Sequence, residues 1–68
     1  MQYQIFETRK FFTGSLTGLT VEHKYLSFDN KNSAKIVSDN RVGAVGGGPG
    51  FGSEYVVVGT RVEKVANG

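Results

Sequence analysis

Residues 54–65, with the sequence EYVVVGTRVEKV, form the most strand-like stretch of this 68-residue chain. β-Branched and aromatic residues favour extended structure, because their side chains pack well on a pleated surface. Apolar residues fall on both sides of such a strand: Val56, Val58 and Val62 on one, Tyr55, Val57 and Val65 on the other. A strand with apolar groups on both faces is expected to be covered on both faces.

Two earlier segments have the same character. Tyr3 to Phe12 is predicted to be a strand whose apolar alternation slips once, which indicates either a bulge or two partly covered faces. Residues 13–18 hold two glycines and three hydroxyl residues, a composition typical of a turn. Leu19 to Phe28 then resumes strand character. These segments predict an antiparallel hairpin.

The middle of the chain predicts a short helix followed by a loop. Asp29, Asn30 and Asn32 are good N-cap residues, and the apolar spacing over 31–40 permits a helix. Residues 43–52 hold six of the ten glycines and the only proline, so we expect a loop there. The predicted fold is a β-rich α+β domain of order ββαβ that spans residues 1–68, with the Gly-rich loop within it.

So short a chain has little with which to stabilise a core. Domains of this size bury only about 60% of the surface that the unfolded chain exposes. The sequence has no cysteine, and His23 is its only histidine, so we expect neither a disulfide nor a metal site, and no cofactor. Association of identical chains, as a dimer or tetramer, is the remaining source of stability.

Charge and hydropathy argue against further classes of protein, namely nucleic-acid binders, membrane-spanning proteins and secreted proteins. Eight basic and six acidic residues give a net charge of +2, and the basic residues are scattered. Nucleic-acid binders normally cluster their basic residues, so binding to DNA or RNA is disfavoured. No apolar run approaches the roughly 18–20 residues of a membrane helix. Met1 to Phe12 interleaves charged with apolar residues, unlike a secretory leader, and we expect a cytoplasmic protein.

The residues needed for catalysis are sparse, and no catalytic residue is predicted. His23 lies between Glu22 and Lys24 in a strand, so both neighbours point to the opposite face and cannot orient its ring. The glycine run lacks the Lys-Ser/Thr pair that completes a phosphate loop. It is therefore either a passive connection or a backbone-lined ligand wall formed by Gly46, Gly47 and Gly48.

The stretch RKFFTGSLTGLT, residues 9–20, combines features of a ligand-binding surface. Aromatic rings can stack on a nucleobase, hydroxyls can bond phosphate or ribose oxygens, and basic groups can neutralise charge. Phe11 and Phe12 could instead be core or interface residues, and hydroxyls in such a turn often bond its backbone. The candidate ligand-binding side chains are Arg9, Phe11, Phe12, Thr13, Ser15, Thr17, Lys24 and Arg41.

The string FTGSLTGLTV at residues 12–21, followed by a glycine-rich approach to YVVV at 55–58, resembles a group of very small phage-encoded proteins. These are the anti-defence "sponges" of the anti-CBASS or anti-Thoeris type, oligomers that sequester the cyclic nucleotide signals of bacterial anti-phage systems. The resemblance covers about half of the chain. It implies stoichiometric binding without turnover, in pockets formed between subunits.

The resemblance also implies a ligand, a small anionic nucleotide that is either a cyclic oligonucleotide or an ADP-ribose-type signal. Carried over to this chain, it implies these contacts: base stacking by Phe11 or Phe12, phosphate or sugar contacts by Thr13, Ser15 and Thr17, and charge from Lys24 or Arg9. The chain has Phe where such a pocket would offer a Tyr hydroxyl. The alternatives are a phage protein-interaction or structural module that acts on a host or phage protein, and a small nucleic-acid binder.

Overall fold

A computed structural model describes residues 2–48 and 52–66 of the chain. Its elements are β1 (Gln2–Gly14), β2 (Thr20–Phe28), α1 (Lys31–Arg41), β3 (Val45–Gly48) and β4 (Ser53–Val65). The strands form one antiparallel sheet of order β2-β1-β4-β3, so the first and last long strands are neighbours at its centre. The β-rich α+β class, the hairpin and the short helix are confirmed.

The hairpin of β1 and β2 is closed by local bonds in the turn. The Thr17 hydroxyl donates to the Gly14 carbonyl oxygen at 2.7 Å, and the Leu19 amide donates to the Leu16 carbonyl oxygen at 3.0 Å. The predicted irregularity of β1 is present, because its pairing with β2 shifts register between Gln4 and Phe6. After this shift, side chains continue to alternate between the two faces of β1. Glu7 and every second residue from it therefore lie on the face that α1 covers.

The prediction of a loop over residues 43–52 is wrong for residues 45–48, which form β3 and pair with β4. The sheet therefore has four strands instead of three. Glycine weakens a strand because it offers no side chain to pack, but here the Tyr55 side chain crosses over Gly46 and supplies that cover. Residues 49–51 of the predicted loop lie outside the described residues.

Helix α1 begins at its N-cap residue, Asn30, one of the three predicted candidates. The Asn30 side-chain oxygen accepts from the amides of Asn32 at 2.8 Å and Ser33 at 3.1 Å. On the buried side of the helix, the Ser38 hydroxyl donates to the Thr60 hydroxyl at 2.8 Å, and the Thr60 hydroxyl donates to the Ser38 carbonyl oxygen at 3.0 Å. These bonds fix α1 against β4.

The core between α1 and the sheet is small. Among the described residues, only Ile5, Ala34 and Val57 are fully buried apolar side chains. Several large apolar residues are instead half exposed: Phe12, Leu19, Val21, Leu26, Val45 and Val58. No helix in residues 2–48 and 52–66 has the length and apolar character needed to cross a membrane.

Candidate ligand-binding site

A buried carboxylate lies at the centre of the helix-covered face. The Glu7 side chain is fully buried, and it accepts hydrogen bonds from Arg9, with a distance of 3.0 Å from Arg9 Nε to Glu7 Oε1, and from Arg41. Burial raises the pKa of Glu7, but the hydrogen bonds from Arg41 and Arg9 outweigh it and hold that pKa below its ordinary value. Glu7 is therefore ionised at neutral pH and joins β1 to the end of α1.

Each of these two arginines also lies on a tyrosine ring. The guanidinium carbon of Arg9 is 4.4 Å from the ring centroid of Tyr55, and that of Arg41 is 4.3 Å from the ring centroid of Tyr25. The result is a continuous row, Tyr25–Arg41–Glu7–Arg9–Tyr55, which we call the charged row. Two guanidiniums share one carboxylate, so the row carries a net positive charge between two aromatic faces.

The Tyr55 end of the charged row opens into a cleft of about 310 Å³. Its lining residues, which define the aromatic cleft, are Phe11, Leu16, Gly47, Ser53 and Tyr55. The Phe11 and Tyr55 rings meet edge to face, with centroids 5.6 Å apart. The cleft therefore combines an aromatic wall, a guanidinium behind that wall and a glycine backbone on the facing strand.

Part of the sequence-predicted site converges here. Phe11 and Gly47 line the aromatic cleft, and Gly46 lies beneath the Tyr55 ring. Gly48 follows at the end of β3, paired with Ser53. The two predicted arginines, Arg9 and Arg41, are brought together through Glu7.

Other predicted residues lie elsewhere. Lys24 pairs with Phe6, which precedes Glu7 in β1, so Lys24 lies on the opposite face of the sheet. Phe12 is 45% exposed and does not line the cleft. The Thr13 hydroxyl accepts from the Glu54 amide at 3.0 Å.

The hydroxyls of the hairpin turn serve its backbone or face solvent. Thr17 donates to the Gly14 carbonyl oxygen, as the turn composition suggested, and Ser15 is exposed. His23 is also exposed, on β2. In the described part of the chain, no group of three or more His, Cys, Asp or Glu residues is placed to hold a metal ion.

Sequence reasoning missed Glu7, Leu16, Ser53 and Tyr55. An acidic residue in a strand normally indicates the solvent side, and nothing near Glu7 in the sequence signals two arginine partners. Tyr55 had a detectable signal, because an aromatic residue next to a glycine-rich segment can cover a cross-strand glycine. Using that signal requires knowing that residues 45–48 pair with β4.

Comparisons with protein-family models, with curated proteins and with solved structures find no match to this chain. The geometry of the charged row and the aromatic cleft is therefore the basis for the functional inference.

Proposed function

We propose that this protein is a non-catalytic binder that sequesters a small anionic nucleotide, a cyclic oligonucleotide or ADP-ribose-type immune signal, and so blocks bacterial anti-phage defence. The observation that carries the proposal is the Arg9 guanidinium lying 4.4 Å over the Tyr55 ring at the wall of the aromatic cleft. A base and a phosphate are the two chemical groups that such a pair recognises.

The expected contributions are large enough for tight binding without catalysis. Stacking of a base on an aromatic ring contributes about 1–3 kcal/mol. A hydrogen bond from a guanidinium to a phosphate contributes about 1.5–3 kcal/mol. Arg9 shares Glu7 with Arg41, so the buried carboxylate would keep a second partner if Arg9 turned towards a phosphate in the cleft.

The phage-sponge resemblance supports sequestration in particular. Leu16, from the middle of the similar string FTGSLTGLTV, lines the aromatic cleft, and Phe11 lies directly before that string. Ser53 and Tyr55 come from the strand that holds the second similar string, YVVV. Both similar stretches thus contribute to one cleft or flank it.

We further propose that the protein acts as a homo-oligomer, a dimer or tetramer. Three fully buried apolar side chains among the described residues make a small core for a chain without cysteine, and half-exposed apolar residues remain on the sheet. Light scattering should give a mass at least twice the 7.4 kDa of one chain. A monomer mass at micromolar concentration would overturn this part of the proposal.

A thermal-shift panel of cyclic dinucleotides, cyclic trinucleotides and cyclic ADP-ribose-type molecules tests the function. We expect at least one member to raise the melting temperature, because a ligand that binds only the folded state stabilises it. Chromatography of the ligand after long incubation should recover it intact. Turnover of the ligand, or no shift with any member, would refute sequestration of these signals.

Two neighbouring phenylalanines give a matched pair for locating the site. Phe11→Leu removes an aromatic ring from the cleft and keeps an apolar side chain, so binding should weaken about tenfold with loss of one stack. Phe12→Leu makes the same chemical change at a half-exposed residue outside the cleft and should bind as the parent does. Equal affinities for the two variants would place the ligand elsewhere.

A protein-interaction module is the second candidate function. The observation in its favour is the exposure of Phe12, Val21 and Val58, which are 45%, 41% and 50% exposed. Apolar residues of this kind can contact a host or phage protein. This reading predicts a monomeric protein whose melting temperature no nucleotide changes.

A further inference from the structure

A second and larger cavity lies between α1 and the C-terminal half of β4, and it is separate from the aromatic cleft. Its volume is about 550 Å³, within the usual range of small-molecule sites. The residues that matter for its chemistry, which define the lysine groove, are Tyr3, Lys31, Lys35, Val62 and Lys64.

Positive charge in this protein is divided between two kinds of residue. All three arginines lie on aromatic rings and pair with glutamates: Arg9 on Tyr55, Arg41 on Tyr25 and Arg61 on Phe6. Arg9 and Arg41 share Glu7, whereas Arg61 contacts both Glu22 and Glu63, so the three arginines and three glutamates together carry no net charge. The lysines carry the remaining positive charge, and three of the five line this groove.

The groove lysines are not held in salt bridges in the described part of the chain. Lys31, Lys35 and Lys64 form no salt bridge there, although Asp39 also lines the groove. Lys31 and Lys35 lie one helical turn apart on α1, and Lys64 stands across the groove on β4. The three lysines thus line one space from two sides.

The polar groups on the floor of the groove already have hydrogen-bond partners, so they need none from a ligand. The Ser38 and Thr60 hydroxyls bond each other at 2.8 Å, so both are satisfied. Val62 and the half-buried Tyr3 ring provide an apolar and aromatic surface beside them. A ring can therefore lie on the floor while an anionic group extends towards the lysines at the rim.

We propose that the lysine groove binds a phosphomonoester carried on a ring-bearing small molecule, such as a nucleoside monophosphate. The phosphate lies among Lys31, Lys35 and Lys64, since lysine is a common point-charge partner of phosphate. The ring contacts Tyr3 and Val62. This site is independent of the aromatic cleft and does not rest on the proposed function.

The test is to titrate the full chain with AMP, with inorganic phosphate and with adenosine, and to monitor binding through the amide chemical shifts. AMP should saturate and shift the amides of Ser38, Thr60 and Val62. Phosphate alone should shift them with weaker affinity, and adenosine should not saturate. Saturable shifts confined to Gly47 and Tyr55, or equal binding of adenosine and AMP, would overturn the proposal.

Two double lysine variants distinguish binding in the lysine groove from a general effect of the protein's net charge. Lys31→Ala with Lys35→Ala should weaken AMP about tenfold or more and leave circular dichroism unchanged, because both side chains are exposed. Lys10→Ala with Lys24→Ala removes the same charge from the opposite face of the sheet and should leave AMP affinity unchanged. If both double variants bind AMP equally well, or lose it equally, the groove is not the site.

Discussion

The phenol ring of Tyr55 lies directly across the backbone of Gly46, its partner in the β3–β4 ladder. A Cβ atom built on Gly46 would stand 2.3 Å from both Cζ and the phenolic oxygen of Tyr55, closer than any real side chain allows. The same ring carries Arg9 on its face and meets Phe11 at an angle. The absence of a side chain at residue 46 therefore leaves room for the ring that forms the cleft wall.

Replacing Gly46 with alanine should displace this ring. The backbone of Gly46 does not have a positive φ, so the substitution acts through the steric conflict with Tyr55 and not through backbone strain. We expect Gly46→Ala to lower the free energy of unfolding by about 1–3 kcal/mol, as overpacking does. Near-ultraviolet circular dichroism should report the displaced tyrosine, and nucleotide affinity should fall about tenfold through loss of the stack.

Gly59→Ala is the matched control. Gly59 also lies in β4 without a positive φ, and a Cβ there would meet no atom within 4 Å. The control should be neutral, or stabilising by about 0.4–1 kcal/mol through reduced entropy of the unfolded chain. Equal effects of the two substitutions would mean that Tyr55 has room to move, contrary to the packing described.

The Glu7 carboxylate should make stability depend on pH on the acid side. Its pKa in the folded state lies below the unfolded value of about 4.3. The ionised pair therefore stabilises the fold above that value, and this contribution is lost as pH falls through the folded-state pKa. We expect urea unfolding midpoints to be level near neutral pH and to decline below about pH 4.5.

Glu7→Gln tests whether Glu7 causes this loss of stability at low pH, which we call the acid limb. Removing one partner from a buried ion pair costs about 3–5 kcal/mol, so the variant should be much less stable at pH 7 and show a flatter acid limb. Asp39→Asn removes the same charge from an exposed residue and should keep the parent's acid limb. An acid limb that persists in Glu7→Gln would assign the pH dependence to other carboxylates.

The N-cap of α1 should contribute measurably to stability. Asn30→Ala removes the acceptor of two amide hydrogen bonds and should cost about 1 kcal/mol. Asn40→Ala makes the same change at an exposed position in the last turn, where alanine is the better helix former, and should not destabilise. Urea denaturation and helical circular dichroism distinguish the two variants, and equal stabilities would contradict the cap.

Features encoded by neighbouring residues were predictable from the sequence. The hairpin follows from period-2 alternation on both sides of a turn, and Thr17 and Gly14 close that turn three residues apart. The start of α1 follows from an asparagine that bonds amides two and three residues later. In each case the interaction that stabilises the element lies inside the segment that predicts it.

Features that depend on distant partners were not predictable. β3 pairs with β4 where Tyr55 covers Gly46, and neither the pairing nor the contact can be read from the glycines alone. Glu7 is buried because Arg41 reaches it across 34 positions of the chain. The face on which Lys24 lies depends on its register with β1, which is interrupted by a bulge.

The two arginines of the charged row give a final prediction, because they share the Glu7 carboxylate but lie on different tyrosine rings. Arg9→Gln and Arg41→Gln each leave Glu7 with one guanidinium, so both should lower stability, and Arg41→Gln should do so more because Arg41 bonds both carboxylate oxygens. Only Arg9 lies on a ring that lines the aromatic cleft. Arg9→Gln should therefore also weaken nucleotide binding. For the nucleotide that raises the parent's melting temperature, the expected loss of binding free energy is about 1.5–3 kcal/mol, roughly ten- to hundredfold in Kd. Calorimetric titration of both variants measures this difference, and an equal loss of affinity in both would show that the row supports the cleft only through the fold.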